Sequence, residues 1–165
     1  MKNVCFFRHG VAVESGTPGV VEKARTLTED GRQKTRQAAL GLKRLNLGLD
    51  SVFTSPLPRA LETAEIVAEV LELPRPRLTD RLLPGTSAAR LLEILKEIEG
   101  SAPVLVGHEP ALSSAVSLFV SAADTGDFRL KKAGMAFAKV KTLAPRPRGS
   151  LLLLLTPGAL RTLGK

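Results

Sequence analysis

Short apolar runs alternate along the chain with longer stretches in which apolar residues return every three or four positions. Runs bounded by turn signals read as buried strands, and the longer period reads as amphipathic helix. Strands are predicted at 4–7, 50–54, 103–106, 136–142 and 150–155, with a short one opening at Leu78. Pro145, Pro147 and Gly149 separate the last two, as a turn requires.

Between the strands, a helix capped by Thr28 carries Glu29 and Asp30 in its first turn, where carboxylates suit the helix dipole. Ala38, Ala39, Leu42 and Leu45 follow at helical spacing. Further helices are predicted at 59–71, 87–98 and 110–120. Ala60, Ala64, Val67, Ala68 and Leu71 form the inner face of the first of these, and Pro74 and Pro76 end it. Segment 14–25 holds glycines, a proline and charges and reads as a loop. Such alternation defines an α/β layered fold.

The chain has 165 residues and is 44% hydrophobic along its whole length, so residues 1–165 are expected to form a single domain. Its lone cysteine, Cys5, sits in an apolar run and reads as core, which excludes a disulfide framework. The start of the chain shows no apolar signal region, and the run 151–155 is too short to span a bilayer. A cytoplasmic protein with no membrane partner is the expectation.

Charge adds one asymmetry. The net charge is +8, and residues 128–165 hold nine Lys or Arg but no Asp or Glu. A basic surface can bind nucleic acid. However, the chain has no Trp or Tyr and six Phe, so stacking platforms for single strands are hard to build, and a nucleic-acid partner is not expected.

The candidate chemistry follows three of the strands. Arg8-His9-Gly10 comes after the first, Ser55-Pro56-Leu57-Pro58-Arg59 after the second, and Gly107-His108-Glu109-Pro110 after the strand at 103–106. If these strands run parallel, their loops open on one sheet edge, where ligands of open α/β sheets bind. Both histidines of the chain and two arginines would then share a pocket.

That cluster suits phosphoryl transfer. A neutral imidazole is a nucleophile near pH 7, and neighbouring arginines disfavour its protonation. Arginine offers a planar fork to phosphate oxygens, and positioned cations stabilise a transferring phosphoryl group. Gly10 is expected to let the backbone approach the ligand.

At these residues the chain resembles the histidine phosphatase superfamily, the phosphoglycerate mutase-like clan. Arg8-His9-Gly10 matches its signature, 55–64 its second motif, and Val106-Gly107-His108-Glu109-Pro110 the segment of its second histidine. The resemblance implies a three-layer α/β/α sandwich with a mostly parallel central sheet. Size, the segment 25–31 and Thr156-Pro157-Gly158 are most similar to the short SixA-type phosphohistidine phosphatases.

By that resemblance His9 attacks phosphorus and forms a phosphohistidine, which water hydrolyses to release phosphate. Arg8, Arg59 and His108, with Arg25 as a further cation, hold the phosphoryl oxygens. Neither metal nor other cofactor is implied.

Larger members of the clan place a general acid in an insertion after the second helix. Here the corresponding stretch, 79–86, is brief and carries no match to that acid's motif. Asp80 and Glu109 are the nearest candidates, and both also read as surface carboxylates. An alkoxide leaving group needs a proton that an imidazole can carry beforehand, so a missing acid favours N–P over O–P bonds. The expected partner is a phosphohistidine-bearing protein or a small phosphorylated molecule. The alternatives are a broad small-molecule phosphomonoesterase of the same clan and a non-catalytic phosphate- or nucleic-acid-binding module.

Overall fold

A computed structural model describes residues 2–121 and 128–165. The described residues form a six-stranded sheet, in the order β3-β2-β4-β1-β5-β6, and five α-helices. The strands are β1 (Asn3–Arg8), β2 (Ser51–Thr54), β3 (Arg77–Leu78), β4 (Pro103–Gly107), β5 (Met135–Thr142) and β6 (Arg148–Leu155). The helices are α1 (Glu29–Arg44), α2 (Pro58–Leu71), α3 (Ala88–Glu97), α4 (Ala111–Ser121) and α5 (Pro157–Leu163).

β1 pairs parallel with β4, β4 with β2 and β2 with β3, while β5 lies antiparallel to both β1 and β6. The mostly parallel sheet is therefore as the sequence implies. The three strands that carry the chemical loops are adjacent and point the same way. Parallel strands joined by crossover helices are covered on both faces, which explains why residues 4–7 of β1 and 103–106 of β4 are apolar and buried.

The two faces divide the core. Val4, Phe6, Phe53 and Leu105 pack with α3 and α4, through Leu91, Leu92, Leu95, Leu112 and Phe119. Cys5, Phe7, Val52, Val104 and Val106 pack with α1, α2 and α5, through Ala38, Leu42, Ala60, Ala64 and Leu160. Successive residues of one strand thus serve opposite layers. Cys5 is fully buried, and that burial pushes its thiol pKa up, so it stays protonated and inert.

The predicted cap holds, since Thr28 Oγ1 accepts from Gly31 N at 2.9 Å, and Ser87, read as the start of the 87–98 helix, caps α3 by accepting from Arg90 N at 3.3 Å. Helix α5 is absent from the periodicity reading, because seven residues barely complete two turns. Its signals are local: Thr156 accepts from Ala159 N, and Pro157 occupies the first turn. It docks on α1 where Gly41 has no side chain; a Cβ there would collide with the Leu160 carbonyl. The run 151–155 is neither central nor fully buried: β6 is an edge strand, with Leu152 and Leu154 about half exposed.

Candidate active site

The loops after β1, β2 and β4 meet at the carboxyl ends of their strands. His9 and His108 are nearly fully buried, with ring centroids 5.0 Å apart and planes inclined at 52°. His9 N–H bonds the Gly107 carbonyl at 3.1 Å, so the backbone of one histidine loop is tied to the strand that presents the other.

The His9 ring is oriented by its own loop. Its Nδ1 lies 2.8 Å from the Gly10 carbonyl, which can only accept, so Nδ1 carries the hydrogen. In the neutral ring the lone pair is then on Nε2. Burial, together with the charges of Arg59, Arg8 and Lys132, lowers the His9 pKa from 6.5 to about 4, against the opposing pull of the Gly10 carbonyl. His108 is lowered to about 3 by burial first, then by His9 and by Arg59, Arg8 and Arg25. Both rings are neutral near pH 7.

The arginines are anchored through backbone carbonyls. Arg8 Nη1 donates to Leu130 O at 2.7 Å, and Arg25 Nε to Val13 O at 2.6 Å. Arg59 is nearly buried at the start of α2, and its Nη1 donates to Glu22 O at 3.3 Å. Burial lowers the pKa of Arg8 and Arg59 from its ordinary value, yet guanidinium remains charged at any physiological pH. The pocket therefore collects neutral nucleophilic rings among fixed cations.

Two hydroxyls unassigned by the sequence reading brace this arrangement. Thr63 Oγ1 accepts from Gly10 N at 3.0 Å and donates to Arg59 O at 2.7 Å, which couples the His9 loop to α2. Ser55 Oγ lies 3.0 Å from His108 Nε2 and accepts from Leu57 N at 3.3 Å. Both residues stand inside the segment 55–64, but nothing in their spacing distinguishes a brace from an ordinary helix residue. Lys132 and Glu22, which also act on the pocket, lie in loops without periodicity.

The fold sets the surroundings of Gly10, Asp80 and Glu109. The space left by Gly10 faces α1 rather than a ligand: a Cβ there would collide with Thr35 Oγ1 and press on Leu27. Gly10→Ala is expected to cost about 1–3 kcal/mol of stability through overpacking. Because Thr35 Oγ1 is buried without a hydrogen-bond partner, Gly10→Ala combined with Thr35→Ala should recover most of that loss in denaturant melts. Asp80 opens a short 3-10 turn with its side chain exposed, and it is not among the charges acting on either histidine. Glu109 lies closer: Ser113 Oγ donates to its Oε2, and its charge acts on Arg8.

The sheet thus brings both histidines, with Arg8 and Arg59, to the carboxyl ends of its adjacent parallel strands. The profile of the histidine phosphatase superfamily (branch 1) matches residues 4–83, and an uncharacterized protein of Picosynechococcus sp. is 35% identical over 133 residues, covering 79% of this chain and 80% of that one. The chain belongs to the histidine phosphatase superfamily and is a phosphatase of that group.

Solved structures share the fold. The protein histidine phosphatase SixA complexed with tungstate superposes with a TM-score of 0.80 at 21% identity, covering 96% of this chain and 99% of that one. A phosphoserine phosphatase mutant from Entamoeba histolytica in complex with phosphoserine gives 0.70 at 17% identity, with 97% and 100% covered. A mycobacterial glucosyl-3-phosphoglycerate phosphatase gives 0.69 at 19%, with 94% and 99% covered. Such identities establish a common architecture across relatives with different substrates. No helix among the described residues is long and apolar enough to cross a membrane.

Proposed function

We propose that this protein hydrolyses phosphohistidine on a protein substrate through a covalent intermediate on His9, without a metal. The observation that carries the reading is the His9 ring, pinned at Nδ1 by Gly10 O and held neutral beside His108 and the arginines. Nε2 attacks phosphorus in line as the N–P bond to the substrate imidazole breaks, and that imidazole departs with its own proton. Water then attacks the phosphorus of phospho-His9, returning the ring and releasing inorganic phosphate.

Arg8, Arg25 and Arg59 hold the equatorial oxygens, where charge accumulates, and His108 contributes a neutral N–H. This cationic set supplies the stabilisation that the reaction needs, so turnover should be unchanged by EDTA.

The substrate preference rests on leaving-group chemistry. Serine alkoxide needs a proton from the enzyme, and general acid catalysis typically contributes about 10²–10⁴-fold. Glu22, the carboxylate against Arg25 and Arg59, is held below its usual pKa by hydrogen bonds from Ser15 and Arg25, so it carries no proton near pH 7. Glu109 Oε2 is engaged by Ser113, and Asp80 stands exposed on its turn. A protonated imidazole leaves without such help.

The test is phosphate release from a phosphohistidine-bearing protein and from a phosphoserine peptide at equal concentration. The expected result is a kcat/KM at least about 10²-fold higher for the N–P substrate, the smallest contribution that a missing acid implies. Equal or faster turnover of phosphoserine would move the function to a general phosphomonoesterase on the same machinery.

A further inference from the structure

Glu22 stands directly among the arginines of the pocket. It opens the turn Glu22–Ala24, and its side chain is 55% exposed. Ser15 Oγ donates to its Oε2 at 2.7 Å, and Arg25 Nη1 donates to its Oε1 at 2.6 Å. The same Oε1 is 3.9 Å from Arg59 Nη2, and the Glu22 carbonyl accepts from Arg59 Nη1 at 3.3 Å. One residue therefore holds both guanidiniums, one of them through side chain and backbone together.

A carboxylate presents two oxygens to a guanidinium fork, as a phosphoryl group does. The Glu22 carboxylate thus takes up a donor of Arg25, and its carbonyl takes up a donor of Arg59, that a phosphoryl oxygen could otherwise engage. In the empty pocket this arrangement has a purpose, because the two guanidiniums repel one another, and Arg25 is a cause of the lowered Arg59 pKa. A phosphoryl group held by the same two guanidiniums would meet this carboxylate as a like charge. An exposed ion pair is weak, typically about 0–1 kcal/mol, so it exchanges partners readily.

We propose that Glu22 is an internal competitor for the phosphoryl group. Its carboxylate keeps Arg25 and Arg59 together in the free enzyme, yields them to the incoming substrate, and reclaims them as inorganic phosphate leaves. The proposal rests on the assignment of these two arginines to phosphoryl binding. It makes Glu22 a positioning residue that loosens the product rather than a proton donor, and it adapts the pocket to release instead of retention.

The test uses inorganic phosphate as the probe, titrated calorimetrically into the full chain and assayed separately as an inhibitor. Glu22→Gln keeps the shape and an acceptor for Arg25, with its NH2 able to donate to Ser15 Oγ, while removing the charge, and Glu22→Asp keeps the charge. The expected result is about fivefold tighter phosphate binding by Glu22→Gln, the scale of one exposed ion pair, with Glu22→Asp close to wild type. Stronger product inhibition of Glu22→Gln should accompany it.

Phosphate binding by Glu22→Gln that is unchanged or weaker than wild type would overturn the proposal, leaving Glu22 a simple brace. Because the probe is phosphate itself, the result does not depend on which phosphorylated molecule is the substrate. Failure of the phosphohistidine preference and failure of the competitor role are therefore read from different experiments. Arg59→Ala supplies the control for the underlying assignment: undiminished phosphate affinity there would overturn the proposal at its base.

Discussion

Replacing His9 by alanine is expected to lower turnover of any phosphorylated substrate by on the order of 10⁴-fold or more, the scale seen when a covalent nucleophile is removed. The ring is the group whose Nε2 lone pair is both available and aimed by its loop, through the 2.8 Å contact of Nδ1 with Gly10 O. Its cavity would keep the cations, so His9→Ala should still bind inorganic phosphate. The pairing of lost turnover with retained binding separates a lost nucleophile from a collapsed pocket. Rapid alkaline quench of the wild type with labelled substrate should trap label on the protein, and acid should release it, as expected of a phosphoramidate. Turnover in His9→Ala equal to that of the wild type would remove the covalent mechanism.

Acid should destabilise the fold more steeply than its surface carboxylates alone would. His9 and His108 have pKa values lowered from 6.5 to about 4 and about 3, so the unfolded chain binds protons that the folded chain refuses. The sign follows from linkage: with more protons bound to the unfolded state, stability rises with pH, and it falls as pH drops below 6.5. The loss should develop between about pH 6.5 and pH 4 for His9 and continue to about pH 3 for His108. One pKa unit corresponds to about 1.4 kcal/mol, so the coupled pair amounts to several kcal/mol. Denaturant melts of wild type and of a His9→Asn, His108→Gln double variant between pH 7 and pH 4 measure it. The expected result is a shallower pH dependence in the variant; identical slopes would mean that the rings are hydrated enough to protonate in place.

Much of the architecture is legible because the relevant physics is local in sequence. Four-residue apolar runs such as 4–7 and 103–106 belong to strands buried on both faces, and those strands occupy the sheet centre. Thr28 and Ser87 announce helix starts because an N-cap acts within three residues. Helix α5 escapes the same reading because its stability comes from docking on α1 at Gly41, not from a long periodic face. The edge position of β6 is similarly invisible, since a run of leucines looks the same at an edge or in the centre.

The candidate site divides along the same line. The sequence by itself determined that His9, His108, Arg8 and Arg59 follow strands and helix starts, because chain order and element periodicity carry that information. The tertiary structure decided the rest. It set the rings 5.0 Å apart, turned the vacancy of Gly10 toward Thr35, made Thr63 a tie between the His9 loop and α2, and brought Glu22 against Arg59. The physical reason is separation along the chain: these contacts join residues from different loops and layers, whose distances arise when the sheet assembles and which no periodicity records.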